Sequence, residues 1–402
     1  MVCGFRPFYL ASAGWALLSA LLWLLMLGGA LPWPATPGGA VVWHAHELLA
    51  GFVLAATAGF LLTAVPEFTA TPAWPPRTVL GLLALWTGGR IAFLLSGFIG
   101  IGAAALFDLA FIAALLVLAA PRLWRDPERR HRSFITALAL LLFVFAGFHA
   151  DALRDVPPLR WLHLATGVVM ILVILAMSRI SMRIVNDALD ERRAAGFPDI
   201  DEYLARPPRR NLAMFLIGLY SVVEFVLPGV ALGGWLALAT AAALLNLLND
   251  WHVGRALLTR WPLLLYACYV LMAGGYTLIG LSLLDVPVTI SAGRHLLTSG
   301  VMGLSIFVVF CIAGRRHAGY PLDERPWVRL AAGLIVAAAL LRAAAGFPGV
   351  PVVALQHAAG TAWCLAFALV LYRLGPVWWG PRPDGGVACE ELIEAQPEQR
   401  RT

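Results

Sequence analysis

The chain contains no lysine, and all of its 29 Lys or Arg positions are arginine. Charge of either sign is scarce, since charged residues make up 13% of the 402 residues while hydrophobic residues make up 60%. A soluble protein carries about 25% charged and about 45–50% apolar residues. The five cysteines include no CxxC pair, and a Walker motif is absent, so no mechanism driven by nucleoside triphosphates is proposed. This composition excludes an ordinary soluble domain and indicates an integral membrane protein.

Apolar stretches of about 20 residues recur along the chain, and each can cross a hydrocarbon core of about 30 Å as a helix. We therefore predict an all-α polytopic membrane protein with about twelve transmembrane helices. The predicted spans are Phe8–Leu31, Val42–Val65, Val79–Gly97, Gly100–Ala120, Phe134–Leu153, Leu159–Ile180, Leu212–Leu227, Gly234–Leu248, Pro262–Leu284, His295–Gly314, Trp327–Ala345 and Val352–Leu374.

Arginine is concentrated in alternate loops, which predicts the orientation of the chain because short cytoplasmic loops retain cationic residues. Two of these loops carry Arg122, Arg125, Arg129, Arg130, Arg132, Arg183, Arg192, Arg193, Arg206, Arg209 and Arg210. The opposite loops carry little arginine, with Arg154 and Arg160 as the exceptions. Both termini are therefore predicted to be cytoplasmic. The charge is scattered without interleaved aromatic residues, which argues against nucleic-acid binding.

A polar segment near the middle of the chain divides the spans six and six. We predict a first membrane unit at residues 1–180, which carries the Trp43–Glu47 motif, and a cytoplasmic loop at residues 181–210 with a short helix and a linker. A second membrane unit follows at residues 211–375. The tail at residues 376–402 is rich in Pro, Gly and Glu and is predicted to be poorly ordered.

Six of the nine histidines fall at the predicted outer ends of spans, where ionisable groups are costly and usually functional. Neutral imidazole is a good ligand for haem iron, copper and zinc. The alternative is a set of interfacial histidines that bind water. The six candidate metal ligands are His44, His46, His149, His163, His295 and His357.

Two of these histidines lie in Trp43-His44-Ala45-His46-Glu47, at the start of span two. On a regular helix His44 and His46 point about 200° apart, whereas His44 and Glu47 lie within about 60°. Either this turn is irregular or the two histidines serve different sites, with Glu47 as an acceptor that orients His44.

Charged residues inside the spans give a second group of candidates. Arg90 and Asp108 lie at similar depths in spans three and four, which predicts either a buried ion pair or an Arg90 that faces an anionic group such as a haem propionate. Arg342 in span eleven is another candidate for that role, with Glu224 as its partner or as a proton carrier. Asp108, Arg342 and Glu47 are expected to support the metal ligands.

Three N-terminal motifs resemble the signature of the NnrS family in their order and spacing. They are Phe5-Arg6-Pro7-Phe8-Tyr9-Leu10, Trp43-His44-Ala45-His46-Glu47 and Gly59-Phe60-Leu61-Leu62-Thr63-Ala64-Val65-Pro66. Similar elements follow at Gly89-Arg90, at residues 294–303 and at residues 314–319. The resemblance extends over essentially the whole chain.

The resemblance implies a multi-pass protein of the bacterial inner membrane that contains haem b and copper. It further implies a link to denitrification and to defence against nitric oxide, with nitric oxide itself or a respiratory partner as the binding partner besides membrane lipid. His44, His46 and His295 occupy matched motif positions and are carried over as cofactor ligands. His149, His163 and His357 are added from the predicted topology, and Arg90 is added as a propionate contact.

Two other functions remain open at this point. Twelve spans with a central cytoplasmic loop also suit a secondary transporter. The same ligands, held more loosely, would serve an insertion or assembly factor that hands haem or copper to a respiratory oxidoreductase.

Overall fold

The structure is a computed structural model, described here for residues 3–126, 131–197 and 201–386. The described residues form helices and contain no strand. We label the twelve long helices α1 (Phe5–Leu27), α2 (Gly39–Phe68), α3 (Pro76–Leu94), α4 (Gly102–Arg125), α5 (Arg132–Leu153), α6 (Leu159–Ala194), α7 (Pro207–Val226), α8 (Ala231–Asp250), α9 (Arg260–Leu283), α10 (Ile290–Arg316), α11 (Trp327–Ala344) and α12 (Val352–Trp379).

Eleven of these helices are long and apolar enough to cross a membrane, which confirms the predicted all-α polytopic architecture. The remaining one is α7, whose 20 residues begin with Pro-Pro-Arg-Arg and include Glu224. Charge at both ends shortens its apolar stretch, although a helix forms where span seven was predicted. That α7 crosses the membrane, and that both termini are cytoplasmic, therefore remain predictions.

Three helices form the centre of the bundle. Within the most apolar 18 residues of each helix, 83% of the residues are buried in α2 and in α10, and 61% are buried in α6. The corresponding share is 22–50% in the other candidate spans. The helix α1 packs against α12, so the first and last helices of the described chain are neighbours. Outward-facing side chains such as Phe98 and Val117 are large, apolar and exposed, as lipid contact requires. We call the end where α2, α6 and α10 begin the histidine end.

The polar segment after span six does not form a separate short helix. Instead α6 runs unbroken for 36 residues, because neither Gly nor Pro occurs between Gly167 and Gly196, which has a φ of 79°. The chain then folds back onto α6, where the Tyr203 amide donates a hydrogen bond of 2.8 Å to Asn186 Oδ1. Much of the predicted poorly ordered tail, residues 387–402, lies outside the described residues.

The end of the bundle opposite the histidine end is held by ion pairs outside the helices. Asp323 is 3% exposed and accepts hydrogen bonds from Arg325 and from the Trp327 indole. Burial alone would raise the pKa of Asp323, but these hydrogen bonds and the nearby Arg315 guanidinium hold that pKa well below its usual value. The loop before α11 is therefore fixed to the end of α10.

Two of the central helices contain a π-helical turn. These turns are Glu47–Val53 in α2 and Leu296–Met302 in α10, and each directly follows a histidine, His46 or His295. A π turn carries one extra residue and recurs at functional sites. Both turns lie at the histidine end, so two of the helices that carry candidate ligands are irregular beside those ligands.

Candidate functional site

The structure divides the predicted histidines into two groups. His46 and His149 lie in a buried group with Glu47, Arg90 and Asp108, which we call the charge cluster. A second set comprises His44, His163 and His295, which line one cavity. His44 and His46 therefore lie in different surroundings, which is one of the two alternatives that the sequence left open.

The charge cluster is a continuous network of polar contacts across α2, α3, α4 and α5. His46 Nδ1 lies 3.1 Å from Glu47 Oε1, and His46 Nε2 lies 3.1 Å from Asp108 Oδ2. His149 Nε2 lies 3.2 Å from the same Asp108 oxygen. Arg90 donates to Glu47 Oε1 at 2.7 Å and also donates to Asp108 Oδ1. The Arg90–Asp108 pair is the ion pair across the hairpin that the sequence offered as one of two alternatives.

This network is shielded from water and membrane alike. The side chains of His46, Glu47, Arg90, Asp108 and His149 are each at most 4% exposed. Two aromatic rings pack against His46, with Phe93 stacked at 3.7 Å and Phe148 at 4.9 Å between centroids. Charges buried in such surroundings interact strongly and need partners. The donor atoms of His46, Asp108 and His149 lie within 4.8 Å of one another and could hold a metal ion.

Glu47 departs from the sequence expectation. It was expected to orient His44, but it faces His46 and Arg90 instead. The π turn begins at Glu47, so the regular spacing behind that expectation ends there. The guanidinium of Arg90 then attracts both Glu47 and Asp108, since each carboxylate bonds a different nitrogen of the same cation.

The cavity lined by His44, His163 and His295 occupies about 280 Å³ between the three central helices, and we call it the histidine cavity. A smaller space of about 80 Å³ adjoins it and is also lined by His44 and His295. The remaining walls are mostly apolar, with Leu48, Phe52, Ile279 and Leu297 among them. The cavity thus brings imidazoles from α2, α6 and α10 to one apolar space.

The imidazoles of the cavity keep ring nitrogens available. His295 Nδ1 lies 2.8 Å from the Ser291 carbonyl, so as the donor to that oxygen it leaves Nε2 as an acceptor. Neither His44 nor His163 makes a hydrogen bond to another residue in the described part of the chain. The ring of His44 instead stacks on Trp23 at 4.2 Å. These nitrogens are chemically free to bind a metal.

Two cations border the cavity, and only one of them was a candidate from the sequence. Arg294 lines the cavity and pairs with Glu224 on α7. Glu224 therefore has Arg294 as its partner and not Arg342, which corrects the pairing expected from the sequence. Arg342 lines the smaller space and donates weakly to Ser291 Oγ at 3.4 Å. Arg294 directly precedes the candidate ligand His295 in the sequence, and this position could have indicated that Arg294 borders the same cavity.

One predicted ligand stands apart from both groups. His357 on α12 is half-buried, and its Nδ1 lies 2.9 Å from the Val353 carbonyl. It lines neither the histidine cavity nor the smaller space beside it. The structure therefore brings together five of the six predicted histidines, in two groups.

The fold and these two groups define a class: a polytopic helical membrane protein with buried imidazole donors at one end of the bundle. The model of the family described as NnrS protein matches residues 1–382, so the chain belongs to the NnrS family. This is a family of membrane proteins of the nitric-oxide response, associated with haem and metal. A comparison with curated proteins gave no match.

Proposed function

We propose that this protein binds haem b in the histidine cavity and uses it, with copper, to protect cells from nitric oxide at the bacterial inner membrane. The observation that carries the proposal is the convergence of His44, His163 and His295 from three central helices on one apolar cavity. Membership of the NnrS family supports the link to nitric oxide.

The donor set of the cavity fits haem. Iron in haem takes imidazole as an axial ligand, and His295 has its Nδ1 held by Ser291, which fixes the ring and presents Nε2. His44 has no competing hydrogen bond and lines the same space. His295 and His44 would hold the haem iron, with His163 facing the same cavity from α6. Bound haem would supply the iron to which nitric oxide coordinates.

Arg342 is our candidate for holding a haem propionate. The sequence named Arg90 first for this role and Arg342 second, but Arg90 already bonds Glu47 and Asp108 and its side chain is 2% exposed. Arg342 faces the space lined by His44 and His295, and its one weak hydrogen bond leaves donors for a carboxylate. Arg294 lies nearby, although Glu224 already neutralises it.

Copper is the second proposed cofactor. Copper in proteins accepts imidazole nitrogen, and His46 and His149, which are buried at the histidine end outside the cavity, are the proposed donors. The aromatic rings around His46 would keep water from this metal.

An absorption spectrum of the purified protein tests the proposal. We expect a Soret band that shifts when nitric oxide is added to the reduced protein. His295→Ala should remove or strongly shift this band because a side chain that would hold the iron is lost, whereas His357→Ala should leave it unchanged. The His357 variant is a matched control, since this histidine lies at the same end of the bundle but outside the cavity.

The same variants connect the spectrum to the function. A strain that lacks the protein should grow more slowly under a nitric oxide donor, and wild type or His357→Ala should restore growth while His295→Ala should not. A wild-type protein without any Soret band would overturn the haem proposal.

A further inference from the structure

We propose that the charge cluster is a closed binding site for one divalent first-row transition metal ion, with His46, Asp108 and His149 as its ligands. The proposal deepens the copper part of the proposed function by adding a carboxylate ligand and specifying a divalent ion. It does not require haem in the histidine cavity.

The three donor atoms face one another at distances that suit a shared ion. His46 Nε2 and His149 Nε2 lie 3.1 Å and 3.2 Å from the same oxygen, Asp108 Oδ2. Ligand atoms bound at about 2.0–2.2 Å from a tetrahedral ion lie roughly that far apart. Small movements of these side chains would therefore admit the ion.

The hydrogen-bonding capacity of His46 also favours a metal. Both of its ring nitrogens face carboxylate oxygens, Nδ1 toward Glu47 and Nε2 toward Asp108. A neutral imidazole has one N–H, so one of the two contacts sets a nitrogen lone pair against a carboxylate oxygen. A metal ion between Nε2 and Asp108 Oδ2 makes that contact attractive, while Nδ1–H donates to Glu47. This is the pattern in which a carboxylate fixes a ligating histidine.

The charge of the cluster favours a cation as well. Two carboxylates, Glu47 and Asp108, surround a single guanidinium, Arg90, which leaves one negative charge uncompensated when the imidazoles are neutral. Glu47 Oε2 is buried and has no hydrogen-bond partner within the described chain. Buried charge without a partner is costly. A bound divalent ion more than offsets this charge, and the resulting net positive charge, to which Arg90 contributes, limits the site to a single ion.

The donor types select the class of metal. Two imidazoles and one carboxylate suit zinc, divalent copper and divalent iron, whereas univalent copper prefers sulfur ligands. The donors of the cluster include no sulfur atom. The rings of Phe93 and Phe148 and the burial of every member predict slow exchange with solvent.

Divalent copper serves as the probe because its electron paramagnetic resonance spectrum counts coordinated nitrogens. The purified full-length protein, washed with a chelator, is incubated with Cu²⁺ and the bound metal is measured. We expect one tightly held Cu²⁺ per chain with hyperfine coupling from two nitrogens. His149→Ala should reduce the coupling to one nitrogen and lower the affinity by more than the about 10–100-fold that loss of an outer partner causes.

Glu47→Gln gives a second test that keeps both nitrogen ligands. It removes one negative charge without shortening the side chain, so the affinity should fall while the two-nitrogen coupling stays. If His149→Ala does not fold, His149→Gln replaces it, because glutamine still offers Asp108 a hydrogen-bond donor.

His44→Ala separates this proposal from the haem proposal. It should alter the Soret band and leave the copper signal intact, because His44 lies in the cavity and not in the cluster. Failure of the haem proposal would thus leave this test unaffected. The metal site is disproved if the wild type binds no Cu²⁺, or if His149→Ala keeps the two-nitrogen spectrum.

Discussion

Gly89 sets how closely α3 approaches α4 beside the charge cluster. A methyl group at this position would overlap Asp108 Oδ1, the oxygen that accepts from Arg90. The absence of a side chain at Gly89 therefore leaves the space that Asp108 occupies in its ion pair with Arg90. The pair Gly89-Arg90 is also one of the elements in which the sequence resembles the NnrS family.

Gly89→Ala should destabilise the protein by about 1–3 kcal/mol, because overpacking forces helices or side chains apart. It should also weaken copper binding at the cluster, since Asp108 must move. Gly81→Ala on the same helix is the matched control, as nothing lies within 4 Å of its added methyl group. Thermal unfolding in detergent measures both, and equal stability of the two variants would contradict this role for Gly89.

At the residue scale the sequence predicts pairs better than it predicts networks. The separate surroundings of His44 and His46 are one of the two alternatives that helix geometry left open. The sequence also offered the Arg90–Asp108 ion pair, because two charges at matched depths in adjacent spans need partners. The contact of Glu47 with His46 was missed, since it depends on an irregular turn. Arg294 was missed because an arginine near a helix end reads as an interfacial residue.

At the scale of elements, the π turn of α2 is stabilised by side chains of neighbouring helices. A π turn disturbs the regular hydrogen bonding of a helix, and side chains on neighbouring helices bind the affected carbonyls of α2. Trp86 Nε1 on α3 donates to the carbonyls of Ala50 and Gly51 at 3.2 Å and 3.0 Å, and Ser12 Oγ on α1 donates to that of Phe52 at 2.8 Å. The irregular turn is thus held from outside α2.

Trp86→Phe should test this support. It removes the indole donor but keeps an aromatic ring against Trp15, so two buried carbonyls lose a partner at a cost of about 1–3 kcal/mol. We expect lower thermal stability together with a changed copper spectrum, because the π turn begins one residue after His46. Trp235→Phe, at a 63% exposed position on α8, is the control and should change neither.

A Trp86→Phe protein with the stability and copper spectrum of the wild type would show that α2 holds its turn unaided. The comparison is sharp because both substitutions remove the same indole N–H. They differ in whether that group is bonded to the backbone of another helix.

The sequence predicts which elements form more reliably than it predicts how they end or bend. Apolar length located the helices, because a chain in lipid has few other ways to satisfy its backbone. The extension of α6 to Ala194 was missed, since polar composition suggested a loop although no Gly or Pro stops the helix there. The π turns share the spacing His-x-Leu-x-x-Gly, at His46 and at His295. The structure shows that this spacing accompanies a π turn in both helices.

At the scale of the whole molecule, every fourth helix is central. The helices α2, α6 and α10 are the most buried of the candidate spans, and each brings one histidine to the histidine cavity. The other candidate spans in the described chain are less buried. Apolar composition alone does not separate central from peripheral helices, because both environments are apolar. Each of the three carries a histidine near its start, although the peripheral helix α12 does so too, with His357.

The orientation of the molecule depends on α7, the helix whose apolar stretch is too short to identify it as a span. If α7 crosses the membrane, the loop around Gly229 lies on the outer side and the arginine-rich ends lie inside. Truncated chains fused to alkaline phosphatase, which is active only outside the cytoplasm, test this directly. We expect an active fusion after Gly229 and inactive fusions after Arg206 and after Thr259. An inactive fusion at Gly229 would place α7 outside the membrane and reverse the predicted orientation of α8 to α12, leaving His163 and His295 on opposite sides. Their shared cavity is the physical reason to expect the active fusion.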